Sequence, residues 1–72
     1  MFSIQKKENS LVIFSDSETI QSIEIFNLQG QKVYSKRGIY GYKIEIDTQN
    51  LQSKIYLLKI NSGVATFLSP IK

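Results

Sequence analysis

At 72 residues the chain has room for one small domain and too little for a large enclosed active site, since a chain of this length buries only roughly 60% of its unfolded surface. A hydrophobic fraction of 42% with 21% charged residues excludes a disordered tail, and the absence of cysteine excludes a disulfide framework or a thiolate metal site. The net charge of +3 is carried by nine dispersed Lys and Arg against six Asp and Glu, so it marks no concentrated basic tract.

Seven short apolar or alternating segments follow one another at intervals of about ten residues, with polar punctuation between them and no amphipathic helix. This predicts an all-β fold: a small antiparallel Ig-like β-sandwich of about seven strands, with residues 1–72 as a single domain. Residues 2–6 form a weak first strand, and residues 11–15 a stronger second one after the polar turn at Lys7, Glu8, Asn9 and Ser10. A loop is expected over residues 16–19.

Residues 20–27 and 31–36 read as a hairpin. Ile23 and Ile25 fall on one face and Glu24 on the other, and Val33 between Lys32 and Tyr34 supplies the opposing strand. Asn27 and Gly30 define the turn, because Asn bonds its own downstream backbone and Gly takes positive φ without steric penalty. Gly38 and Gly41 bracket Ile39 and Tyr40 and predict a turn or a bulge.

Tyr42, Ile44 and Ile46 alternate with Lys43, Glu45 and Asp47, which predicts a strand with all three apolar residues in the core. Leu51 is expected to plug the end of the core from a tight helical turn over residues 47–52. The nearly unbroken apolar run at residues 55–60 predicts a strand covered on both faces or central in its sheet. Asn61, Ser62 and Gly63 close the next hairpin, residues 64–68 form the last strand, and Pro70 assigns residues 69–72 to an edge or tail.

Chemistry is poorly supplied. With no His and no Cys the chain lacks the commonest general base and thiol nucleophile, and no catalytic, cofactor-binding or metal-ligating residue is assigned. Glu24, Glu45 and Asp47 sit on polar strand faces where solvation accounts for them, and Asp16, Ser17 and Glu18 lack the loop pattern of a calcium site. Tyr34, Tyr40, Tyr42 and Tyr56 beside Lys32, Lys36, Arg37 and Lys43 would suit base stacking, yet tyrosine is a common strand residue and acids balance these cations, so no nucleic-acid partner is expected. No apolar run approaches the roughly 20 residues of a transmembrane helix.

Three segments taken together resemble a known family. Ile23-Glu24-Ile25-Phe26-Asn27-Leu28-Gln29-Gly30-Gln31-Lys32-Val33-Tyr34, then Ile44-Glu45-Ile46-Asp47 leading to Leu51, then Ile55-Tyr56-Leu57-Leu58-Lys59-Ile60 are similar in order and spacing to the C-terminal sorting domain of type IX secretion cargo from Bacteroidetes. The resemblance runs from Ile20 to Phe67. It implies a non-catalytic Ig-like sandwich at the C-terminus of a longer secreted protein, read by outer-membrane secretion machinery and carried through the periplasm to the cell surface. The recognition edge and tail would then be Gly63, Val64, Phe67, Leu68, Ile71 and Lys72. The alternative expectation is a freestanding Ig-like module used for adhesion or as a spacer.

Overall fold

The computed structural model describes residues 2–49, 51, 55–63 and 65–71, and these form a seven-stranded antiparallel β-sandwich. The strands are β1 (Phe2–Lys6), β2 (Ser10–Ser15), β3 (Ile20–Phe26), β4 (Lys32–Gly41), β5 (Lys43–Asp47), β6 (Tyr56–Asn61) and β7 (Thr66–Ile71). One sheet has the order β1-β2-β5 and the other β4-β3-β6-β7. This is the Greek-key connectivity of immunoglobulin-like sandwiches, with the fourth strand hydrogen-bonded to the third. None of the described residues forms a helix long and apolar enough to cross a membrane.

Side-chain alternation builds the two layers. Leu11 and Ile13 of β2 align with Ile46 and Ile44 of β5, and Ile4 of β1 completes the row at Ile13. From the other sheet Ile23 and Ile25 align with Ile60 and Leu58, and Ile71 aligns with Tyr56. All but Ile4 are buried and form one cluster, with Phe2, Ile4, Tyr34, Ile39 and Leu51 packed around it. A fully buried aliphatic side chain contributes about 1.5–3 kcal/mol, so these paired rows supply most of what holds a chain of this size together.

The connections are fixed by short polar devices. The Lys7 amide donates to the Ser10 carbonyl at 2.8 Å and closes the β1–β2 turn. Where the chain crosses between sheets after β2, the buried Ser15 hydroxyl donates to the Glu18 carbonyl and accepts from the Glu18 amide at 3.1 Å. At the β3–β4 turn the Asn27 Oδ1 accepts from the amides of Gln29 at 3.0 Å and Gln31 at 2.9 Å, while Gly30 takes φ +84°.

The structure departs from the sequence reading at Val33 and Tyr42, and at two other places it decides between stated alternatives. In β4 it is Tyr34 that packs on the core, because a bulge pairs Phe26 with Lys32 and Ile25 with Tyr34 and leaves Val33 as the extra, exposed residue. Of the turn or bulge expected at the glycine-flanked segment the structure has the latter kind: β4 runs through to Gly41, with a second register irregularity at Gly38–Tyr40 where both Gly38 and Tyr40 have positive φ. Tyr42 lies just outside β5 and is exposed, so the core face there is Ile44 and Ile46 alone. Of the two placements expected for the apolar run the central one holds: β6 lies between β3 and β7, with one face covered and Leu57 exposed between buried Tyr56 and Leu58. Leu51 does cap the core end, half-buried, with its amide bonded to the Thr48 carbonyl at 3.1 Å.

Candidate interaction surface

Among the described residues the clefts are open and shallow, so the features that offer chemistry to a partner are strand edges and one sheet face. The β6–β7 hairpin sets the geometry. The Ser62 amide donates to the Ala65 carbonyl at 3.0 Å, which makes that a hydrogen-bonded row. Antiparallel rows alternate, so Phe67, Ser69 and Ile71 bond inward to Ile60, Leu58 and Tyr56. The amides and carbonyls of Thr66 and Leu68 therefore face away from β6, as does the ring nitrogen of Pro70. Proline is accommodated here because its missing N–H falls on the free edge, and the segment assigned to an edge or tail is the second half of β7 itself.

The outer face of the four-stranded sheet carries two further features. Register places Phe26, Leu57 and Pro70 in one row and Glu24, Lys59 and Leu68 in the next, so an apolar patch lies beside β7. Next to it the Glu24 carboxylate accepts from the Lys32 ammonium at 3.0 Å and lies 3.7 Å from the Lys59 ammonium. The hydrogen bond from Lys32, and then the charges of Lys32, Lys59 and Arg37, hold the Glu24 carboxyl below its ordinary value against a smaller opposing effect of desolvation.

The residues assigned to the recognition edge divide. Phe67 and Leu68 are exposed on β7, and the Phe67 ring meets that of Phe2 at 5.6 Å, which brings the β1 and β7 edges together on one flank. Ile71 is buried beneath β6, so its side chain belongs to the core and not to an accessible tail. Val64 and Lys72 lie outside the described residues. Gly63 has φ +90°, and a Cβ there would collide with the Gln21 side-chain amide, a close approach between the turn and β3 that sequence spacing does not signal.

The four tyrosines are not brought together. Tyr40 and Tyr42 are exposed near the β4–β5 connection, Tyr34 is half-buried and Tyr56 is in the core, so these rings make no common stacking platform. The Tyr56 hydroxyl is buried with no hydrogen-bond partner among the described residues, and burial pushes it above its ordinary pKa. Its ring lies 5.9 Å beneath the Lys6 ammonium, beside a cleft of about 210 Å³ that Thr48, Gln49 and Leu51 also line. A phenol so placed stays protonated at neutral pH and is no nucleophile. Among the described residues no three acids converge on a point that would hold a metal ion.

Residues 2–66 match a protein family described as a domain of unknown function, DUF8694, and the chain belongs to that family. No curated protein matches it.

Proposed function

We propose that this chain is a C-terminal sorting and attachment module that directs a secreted protein through the type IX secretion system to the cell surface. The single observation that carries the reading is the ordered correspondence of its segments. The Ile23–Tyr34, Ile44–Leu51 and Ile55–Ile60 stretches that resemble the sorting-domain pattern coincide with the β3–β4 hairpin, β5 with its capping Leu51, and β6. A small sandwich with an accessible edge is physically suited to such a role, because a receptor can read a folded address through main-chain hydrogen bonds at an edge, with side chains adding selectivity. Gly63 in the β6–β7 turn, with Phe67 and Leu68 of β7, are the residues assigned to that contact, and the partner is outer-membrane secretion machinery. The module itself is proposed as non-catalytic and without a cofactor.

A second reading, a freestanding adhesion or spacer sandwich, draws on two features of the sequence. Lys54 stands where the sorting pattern has Gly, and Phe67–Lys72 differs from its Lys-rich ending. Fusing residues 1–72 behind a reporter in a host with this secretion route separates the two. Surface display supports the sorting role, and a reporter held in the periplasm refutes it.

A further inference from the structure

Exposed strand edges pair with other chains unless something prevents it, and natural sandwiches prevent it with charge, proline, bulges or inward-pointing lysines. Three of the four edges here carry charge, a bulge or both. β4 is broken by two bulges and by positive φ at Gly38 and Tyr40. β5 alternates Lys43, Glu45 and Asp47. β1 turns Lys6 inward in register with Leu11, its ammonium above the Tyr56 ring. β7 is different: Thr66–Ile71 contains no charged residue, and it is the only edge strand of which this holds. Pro70 is its sole obstruction, and it lies near one end.

We infer that β7 pairs with β7 of a second copy of this chain, antiparallel about a two-fold axis at Leu68, joining two four-stranded sheets into one. The occupant follows from the strand's self-complementarity. Full overlap of two such strands sets Leu68 against Leu68, and the outward-facing amide and carbonyl of each satisfy the other. Thr66 of each copy then meets Pro70 of the other, where the Thr66 amide still finds the Pro70 carbonyl and only the bond that proline cannot donate is lost. On the inner side Phe67 of one copy lies beside Ser69 of the other, a large residue against a small one. On the outer side the paired Leu68 side chains, 57% exposed in the single chain, extend the patch of Leu57 and Pro70 across the axis.

The absence of charge matters most for a partner of the same sign. Two copies at +3 repel, but no ionised side chain of β7 stands opposite its own image. Assembly also stops at two. Each sheet offers one unguarded edge, since its other edge is the bulged β4, so the isologous contact closes and does not propagate into fibres. A strand pair of this length buries less than the roughly 1,200–2,000 Å² of a stable complex, so the dimer is a weak one that forms only as concentration rises.

The test is sedimentation of the chain from about 10 µM to about 1 mM, combined with amide hydrogen exchange at both extremes. The expected result is a monomer–dimer equilibrium in which the Leu68 and Thr66 amides become protected as concentration rises. Leu68→Lys sets like charges face to face on an exposed position and should weaken dimerisation about tenfold or more. Val33→Lys, on the bulged edge, should leave it unchanged. A chain that stays monomeric throughout overturns the inference and leaves the edge to a strand from a different protein. A dimer in which the Leu68 amide still exchanges freely also overturns it, because the contact then lies elsewhere. The inference rests on the edge alone: a dimeric chain whose fusion is not exported refutes only the sorting role.

Discussion

Replacing Tyr56 with Phe should stabilise the protein, although Tyr56 is one of its most buried residues. The ring is 3% exposed and fills the core between Ile71 and the Lys6 ammonium, while its hydroxyl finds no hydrogen-bond partner among the described residues. A buried polar group left unsatisfied costs about 1–3 kcal/mol, and Phe removes that oxygen while keeping the ring. A gain of about 1–2 kcal/mol is expected at neutral pH, worth roughly 4–8 °C per kcal/mol in a domain of this size. Urea and thermal unfolding of the two proteins measure it.

The same substitution has a signature in pH. Burial raises the Tyr56 pKa above its ordinary 10.0, so as pH climbs the unfolded chain loses this proton before the folded one does. The stability linked to Tyr56 is therefore complete below pH 10.0 and drains away as pH rises through the higher folded value. Tyr56→Phe should show a shallower alkaline decline than the parent. A variant that is less stable at neutral pH and declines in parallel with the parent would refute the reasoning, since the hydroxyl must then have a partner that Phe deprives it of.

Two further predictions concern the turn and the ion pairs. Gly63→Ala should destabilise by about 1–2 kcal/mol because φ +90° disfavours any Cβ; adding Gln21→Ala should relieve only the steric part, so that urea midpoints of the double variant recover incompletely. For Glu24 the folded pKa lies below the ordinary 4.5, so its contribution is present above pH 4.5 and lost as pH falls through the depressed value. Glu24→Gln should accordingly flatten the acid limb of a stability profile followed by urea midpoints, with added salt shrinking the difference between the two proteins.

Strand number, strand order along the chain and most of the core were legible in the sequence because a period of two with one wet face leaves little choice. Ile23 and Ile25, or Ile44 and Ile46, can face only one way once Glu24 and Glu45 face the other. What alternation does not encode is a slip. One inserted residue at Val33 exchanged the faces of β4, so Tyr34 and not Val33 reached the core, and nothing in the local sequence distinguishes that strand from an unbulged one. Gly38 and Gly41 flagged the second irregularity, and Gly38 does take positive φ there, but the other left-handed residue is Tyr40 and not Gly41, which a β-propensity argument disfavours. The run at residues 55–60 left two placements open, of which the central strand is the one observed. Its outer residue Leu57 is apolar without being covered, and an apolar residue on an uncovered face reads in sequence as core.

That same ambiguity marks the surface on which both proposals rest. Leu57 and Leu68 add nothing to the core, and with Pro70 they cluster next to the one edge strand that carries no charge. A sandwich that needed only to stay folded and separate could set lysines at those outward positions without disturbing a single core contact, as β5 does with Lys43 and β4 with Lys32. Protection is therefore concentrated on β1, β4 and β5, and exposure is concentrated on β7. The pairing proposed between copies and the strand a secretion receptor would add both require the outward amides of Thr66 and Leu68, so the two are mutually exclusive. If both occur, receptor binding must be slowed by raising the concentration of the free chain, and Leu68→Lys must impair both contacts while leaving the fold intact.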